Sequence, residues 1–203
     1  MLIGVYTIPT LVTYLGLFCS FSSCMFAFNN KLDIAIVLFI FAGIFDLFDG
    51  MIARKLNKTD KEKLFGIQID TVVDVFSFGV TPIIIGLNIG LNTALDYVIF
   101  GIYLVTATMR LAYFNYLVLE KNDDKPVKYY TGLPVTYSAL IFPIFYLFKN
   151  ILNENFDIVL RMVYILVAIF YILKVKVIKP KGIWYLIFFL LAIVASIVTV
   201  ILL

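Results

Sequence analysis

Seven long apolar runs, at residues 9–28, 33–56, 66–90, 93–119, 133–150, 156–174 and 183–203, take up most of this 203-residue chain. A helix that crosses a bilayer needs about 20 predominantly apolar residues. Each run is near that length, and little chain is left between them. The runs are continuous rather than alternating, which excludes a closed β-barrel, the other architecture that satisfies its own backbone in lipid. With 63% hydrophobic and 14% charged residues, the chain lies far from the about 45–50% and about 25% of soluble domains. A water-soluble globular protein is excluded. The expectation is an all-α, polytopic transmembrane helical bundle, a single integral membrane domain over 1–203, with a six-helix core and a bland seventh span appended.

The breaks between runs carry the charge. Arg54, Lys55, Lys58, Lys61 and Lys63 separate the second and third runs, Lys121, Lys125 and Lys128 the fourth and fifth, and Lys174, Lys176, Lys179 and Lys181 the sixth and seventh. The other side holds only Lys31, Lys149 and Arg161. The positive-inside rule assigns the first set to the cytoplasm. The chain is then expected to be a multi-pass protein of the cell membrane with a cytoplasmic N-terminus. No Lys or Arg precedes the first apolar run, so a cleaved signal peptide is not expected. Tyr129, Tyr130 and Trp184 suit the interfacial aromatic belts.

Histidine is absent, which excludes a histidine base and histidine-ligated zinc or haem. Cys19 and Cys24 share one apolar run and read as small buried residues. The net charge of +3 and the lack of a basic, aromatic-interleaved stretch argue against a nucleic-acid partner.

Acids inside the apolar runs are the informative feature. Asp46 and Asp49 lie in the second run, and Asp70 and Asp74 in the third. Each costs about 2.5–3.5 kcal/mol at a helix centre, less nearer the ends, so a compensating interaction is expected. Asp46 and Asp49 share a face that Gly50 and Ala53 continue, while Gly66, Asp70 and Asp74 recur every fourth residue on another. One short loop joins the two helices, so the acidic faces can meet as antiparallel neighbours. Four carboxylates carry about four negative charges, and no matching set of Lys or Arg shares these faces. Two divalent cations would balance them. Oxygen ligands select Mg²⁺, Mn²⁺ or Ca²⁺, and a pair of such ions is a recurring device in phosphoryl transfer. Gly50, Ala53 and Gly66 would leave room for a bulky ligand, although small residues also serve helix packing.

Residues 46–74 read Asp46-x-x-Asp49-Gly50-x-x-Ala53-Arg54, then eleven residues, then Gly66-x-x-x-Asp70-x-x-x-Asp74. This resembles the signature of the CDP-alcohol phosphotransferases, integral membrane enzymes that move a phosphatidyl or similar group from a CDP-linked lipid to an alcohol and release CMP. The usual gap before the second glycine is about eight residues. The extra ones here fall in the charged stretch Asn57 to Lys63, which leaves the phase within each helix intact. Downstream, Ile69 to Pro82 (IDTVVDVFSFGVTP), Arg110 to Asn115 (RLAYFN) and Thr131 to Pro134 (TGLP) are similar to the serine-using branch of that family. Its opening is matched by Ile8 to Phe21, except that Gly16 stands where an asparagine is usual.

The resemblance implies a site in the helices 33–56 and 66–90. Asp46, Asp49 and Asp70 would hold one divalent ion, and Asp70 and Asp74 would help to hold a second. Asp74 would be the general base for the acceptor hydroxyl. Asp49, Gly50, Ala53, Arg54 and Gly66 would bind the CDP-lipid. L-serine is the implied acceptor and a homodimer the implied assembly. From spacing alone, Arg54 is equally a cytoplasmic anchor. Arg110, inside the fourth run, is a candidate partner for a serine carboxylate or for one of the aspartates. Ser77 borders either an acceptor pocket or a packing contact, and Pro82 and Pro143 are expected to kink their helices. The alternatives are a different acceptor (glycerol phosphate or inositol phosphate) and, from another class, a divalent-cation transporter.

Overall fold

The computed structural model describes residues 3–120, 129–178 and 183–202. Nine α-helices run through the described chain: α1 (Ile8–Phe28), α2 (Leu32–Lys55), α3 (Asp60–Asp74), α4 (Thr81–Ile89), α5 (Ala94–Glu120), α6 (Ser138–Tyr146), α7 (Lys149–Leu152), α8 (Phe156–Ile172) and α9 (Ile183–Leu202). Lys121, Lys125, Lys128, Lys179 and Lys181 lie outside the described residues, as do the side chains of Tyr129, Tyr130 and Trp184.

Local chemistry sets the helix ends. Thr7 caps α1 by accepting from Thr10 N at 3.4 Å, and Pro9 sits in the first turn, where its missing N–H costs nothing. Asn30, at φ 57°, turns the chain out of α1. Thr59 and Glu62 form a reciprocal capping box at α3: the Glu62 N–H donates to Thr59 Oγ1 and the Thr59 N–H donates back to Glu62 Oε2. Thr93 and Asp96 repeat that arrangement at the start of α5.

Among the described residues, five helical stretches are long and apolar enough to cross a membrane: Ile8–Phe28, Leu32–Lys55, Asp60–Ile89, Ala94–Leu117 and Lys149–Ile172. The run expected as a fifth span at 133–150 departs from a single helix. It begins with a tight turn at Val135–Tyr137, continues as the nine-residue α6 with Pro143 inside, and breaks before α7. Pro143 lacks the N–H that an uninterrupted ladder needs.

The third stretch is also irregular. Between α3 and α4 the backbone widens into a π-helical turn, Val75–Val80, in which Thr81 N–H bonds back five residues to Phe76. Pro82 explains the break, because it offers no N–H to continue the regular i to i−4 pattern.

A feature absent from the sequence expectation is a small antiparallel ribbon. Strand β1 (Tyr129–Thr131) pairs with β2 (Lys176–Ile178), Tyr130 opposite Val177. Gly132 turns the chain out of β1 at φ +80°, and a Cβ there would stand 3.0 Å from the Tyr171 carbonyl. This accounts for glycine within Thr131 to Pro134.

The helices α1 and α2 pack most extensively, α5 lies on α8, and α9 rests on α2. The core is a cluster of rings. Tyr103 stands edge-on to Phe142 and Tyr164, at 5.7 and 5.3 Å between centroids. At Gly43 a Cβ would approach the Ala139 methyl to 2.7 Å, so α6 is seated directly on the backbone of α2. Cys24 is buried, donating to Thr81 Oγ1 at 3.6 Å, and both cysteines are free thiols.

Arg161, counted above among the few basic residues of the other side, has a tertiary partner. It reaches from α8 to Asp96 of α5, with Nε 2.6 Å from Oδ1 and Nη2 3.2 Å from Oδ2. Asp96 is 1% exposed. A carboxylate that far from water needs such a partner.

Candidate active site

A cavity of about 250 Å³ opens between α2, α3, α5 and the turn at Val135–Tyr137. Its wall contains all four aspartates. One carboxylate oxygen from each of Asp46, Asp49 and Asp70 falls within 4.8 Å of the others. Asp74 lines the same cavity alongside them. The helical phase explains this convergence, since the spacing of three on α2 and of four on α3 aims each pair into the shared crevice.

Such a set of acids cannot be charged together in a buried site without cations or shared protons. The donors are hard oxygens, and a mutual spread within 4.8 Å matches the span across a Mg²⁺ ion, about 4.2 Å, and across Ca²⁺, about 4.8 Å. The residues present therefore fit a divalent ion of the Mg²⁺, Mn²⁺ or Ca²⁺ type.

Positive groups surround the acids. Arg54 lines the cavity mouth, its Nη1 3.5 Å from where a Cβ on Gly50 would lie. Lys58, in the loop before α3, acts electrostatically on Asp49 and Asp70. Arg110 is 8% exposed on the opposite wall, with its guanidinium 5.2 Å from the centre of the Phe114 ring and its charge felt by Asp46.

Gly50, Arg54 and Arg110 thus share the cavity wall with the aspartates. Ala53 and Gly66 are half-buried and not among the lining residues. A Cβ on Gly66 would meet nothing within 4 Å, so that position is open rather than packed. Ser77 faces away from the main cavity. It lines a much smaller one, about 10 Å³, behind Asp46, Asp49 and Asp74, and its hydroxyl has no hydrogen-bond partner among the described residues.

Three contacts were not legible in the spacing. Thr13 of α1 donates to Asp49 Oδ2 at 2.5 Å. Asn115 of α5 donates to Thr71 Oγ1 at 2.6 Å across the rim. Val135–Tyr137 closes the wall opposite the acids. The signal for Thr13 was a hydroxyl in an apolar run, and for Asn115 an amide one turn beyond Arg110.

Fold and site together define a polytopic helical membrane protein with an acid-lined cavity flanked by arginines. The family model for CDP-alcohol phosphatidyltransferases matches residues 6–171, and the chain belongs to that family. It is 36% identical over 123 residues to the CDP-diacylglycerol–serine O-phosphatidyltransferase of Saccharomyces cerevisiae, covering 58% of this chain and 44% of that one. It is 29% identical over 141 residues to the archaetidylserine synthase of Methanothermobacter thermautotrophicus, covering 69% and 58%. The corresponding Helicobacter pylori serine O-phosphatidyltransferase is 32% identical over 153 residues, covering 71% and 59%. The chain spans about half the length of the curated relatives it matches.

Proposed function

We propose that this protein transfers the phosphatidyl (or archaetidyl) group of a CDP-activated lipid to L-serine, releasing CMP. The observation that carries this reading is the convergence of Asp46, Asp49, Asp70 and Asp74 on one cavity that also holds Arg54 and Arg110. Family membership supports the donor, and the printed names of the relatives support the acceptor.

Asp46, Asp49 and Asp70 would hold one divalent cation, with Asp70 and Asp74 helping to hold a second. When bound, the cations supply charge that neutralises the diphosphate and the departing phosphate. Gly50, Ala53, Gly66 and Arg54 serve the nucleotide end of the donor, Gly50 by leaving backbone room and Arg54 by facing a phosphate. Arg110 receives the serine carboxylate, for which a planar guanidinium is a matched fork. Asp74 takes the proton from the serine hydroxyl as that oxygen attacks the β-phosphorus. The new P–O bond to serine forms, the bond to the bridging oxygen of the diphosphate breaks, and CMP leaves with that oxygen.

The basic loops are assigned to the cytoplasm, which gives a cytoplasmic site and N-terminus in a cell-membrane protein, and a homodimer is the assembly carried over from the family. Purified protein supplied with CDP-lipid, Mn²⁺ and serine should release CMP only when metal is present. Exchanging serine for glycerol phosphate or inositol phosphate tests the acceptor, and the serine reading fails if either is preferred. A cation pathway would instead give ion flux in liposomes without nucleotide, but the arginines in the cavity wall oppose it.

A further inference from the structure

In a regular helix the carbonyl of Phe78 would accept from residue 82, but that residue is Pro82 and has no N–H. Phe78 is buried, so its carbonyl needs another donor. Tyr103, 0% exposed on α5, supplies it through a 2.6 Å hydrogen bond from its hydroxyl. With the Tyr103 hydrogen so used, the single hydrogen of the Tyr171 hydroxyl, 3.3 Å from both the Tyr103 hydroxyl oxygen and the Val135 carbonyl, serves the two acceptors in alternation. Val135 lies in the cavity wall facing the aspartates. Two buried hydroxyls therefore join the π-helical turn that follows Asp74 to the opposite wall of the site.

We propose that Tyr103 is a positioning residue for the reaction centre: it holds the turn that directly follows Asp74 and carries Ser77, and through Tyr171 it sets the distance between that turn and Val135. Two further observations agree. A Cβ on Gly79 would stand 3.0 Å from Leu104 Cδ1, so α5 presses directly on the turn. Ser77, 1% exposed, is directed by the same turn into the small cavity behind the acids. The inference rests on the function proposed above and extends it.

Tyr164 provides a matched control. Its buried hydroxyl donates at 2.6 Å to the Pro82 carbonyl, about two turns beyond Asp74. The experiment compares wild type, Tyr103→Phe, Tyr171→Phe and Tyr164→Phe in nanodiscs, reading CMP release, Mn²⁺ binding by electron paramagnetic resonance, and thermal unfolding. Tyr103→Phe is expected to lower kcat and Mn²⁺ affinity about 10–100-fold, the range for groups that orient metal ligands, with the CDP-lipid KM unchanged. Tyr171→Phe should move both in the same direction by less, which also keeps the proposal testable if Tyr103→Phe does not fold. Tyr164→Phe should lose similar thermal stability and keep both kcat and Mn²⁺ affinity. Equal losses in Tyr103→Phe and Tyr164→Phe, or no loss in Tyr103→Phe and Tyr171→Phe, overturn the proposal. Mn²⁺ binding does not involve serine, so a wild-type protein that fails to use serine sinks only the acceptor reading.

Discussion

The hydroxyl of Thr13 donates a 2.5 Å hydrogen bond to Asp49 Oδ2, tying the first helix to the acidic face of the second. Both residues are buried. A carboxylate held this way has one oxygen fixed, and in the proposed reading the other is left for a cation. Thr13→Val keeps the shape and removes the donor. It should weaken metal activation about 10–100-fold, whereas Thr13→Ser should stay near wild type. A Mn²⁺ titration of CMP release reads the difference, and an unchanged midpoint in Thr13→Val would refute the role.

Asp74→Asn tests the base. The amide keeps size and hydrogen bonding but cannot accept the serine proton. The expected loss in kcat is about 10²–10⁴-fold, with CDP-lipid affinity within a few-fold of wild type. Activity retained within threefold would remove Asp74 from that role.

Arg110→Lys separates charge from geometry. Lysine keeps the positive charge on the wall shared with the aspartates but loses the planar fork. The serine KM should rise about tenfold or more, the equivalent of one charged hydrogen bond, while the CDP-lipid KM holds. A rise confined to the CDP-lipid KM would place Arg110 on the donor side instead.

The Asp96–Arg161 pair makes the opposite prediction. Fourteen residues of helix separate Asp96 from Arg110, about 21 Å. Asp96→Asn should lower the unfolding temperature, because it strands the partly exposed Arg161 beside a buried amide and weakens the Thr93 cap. Discounted for that exposure, the loss is about 1–3 kcal/mol. Specific activity of the remaining folded protein should match wild type, and a selective loss of turnover would show that the pair reaches the site.

The helical course of the chain was readable residue by residue because burial in lipid leaves the backbone few options. Most long apolar runs became helices with ends near the expected positions; the third stretch starts earlier, at Asp60, and the run at 133–150 is broken. Asp46, Asp49, Asp70 and Asp74 were readable as one group because helical phase is a local property, and charge in an apolar run is expensive enough to stand out. Arg110 stood out for the same reason. Arg161 did not, since it lies near a run's edge and its partner Asp96 is 65 residues away.

What the order of residues determined alone was the class of architecture and the acids' common face, both consequences of short-range geometry and of the cost of charge in hydrocarbon. Tertiary structure decided which distant groups meet on and around those acids: Thr13 on Asp49 itself, Tyr103 on the Phe78 carbonyl in the turn after Asp74, and Asn115 on Thr71 beside Asp70. It also turned Ser77 away from the main cavity and broke the run at 133–150. These depend on helices meeting at particular depths and rotations, and a polar side chain in an apolar run does not state which neighbour it will face until the bundle has packed.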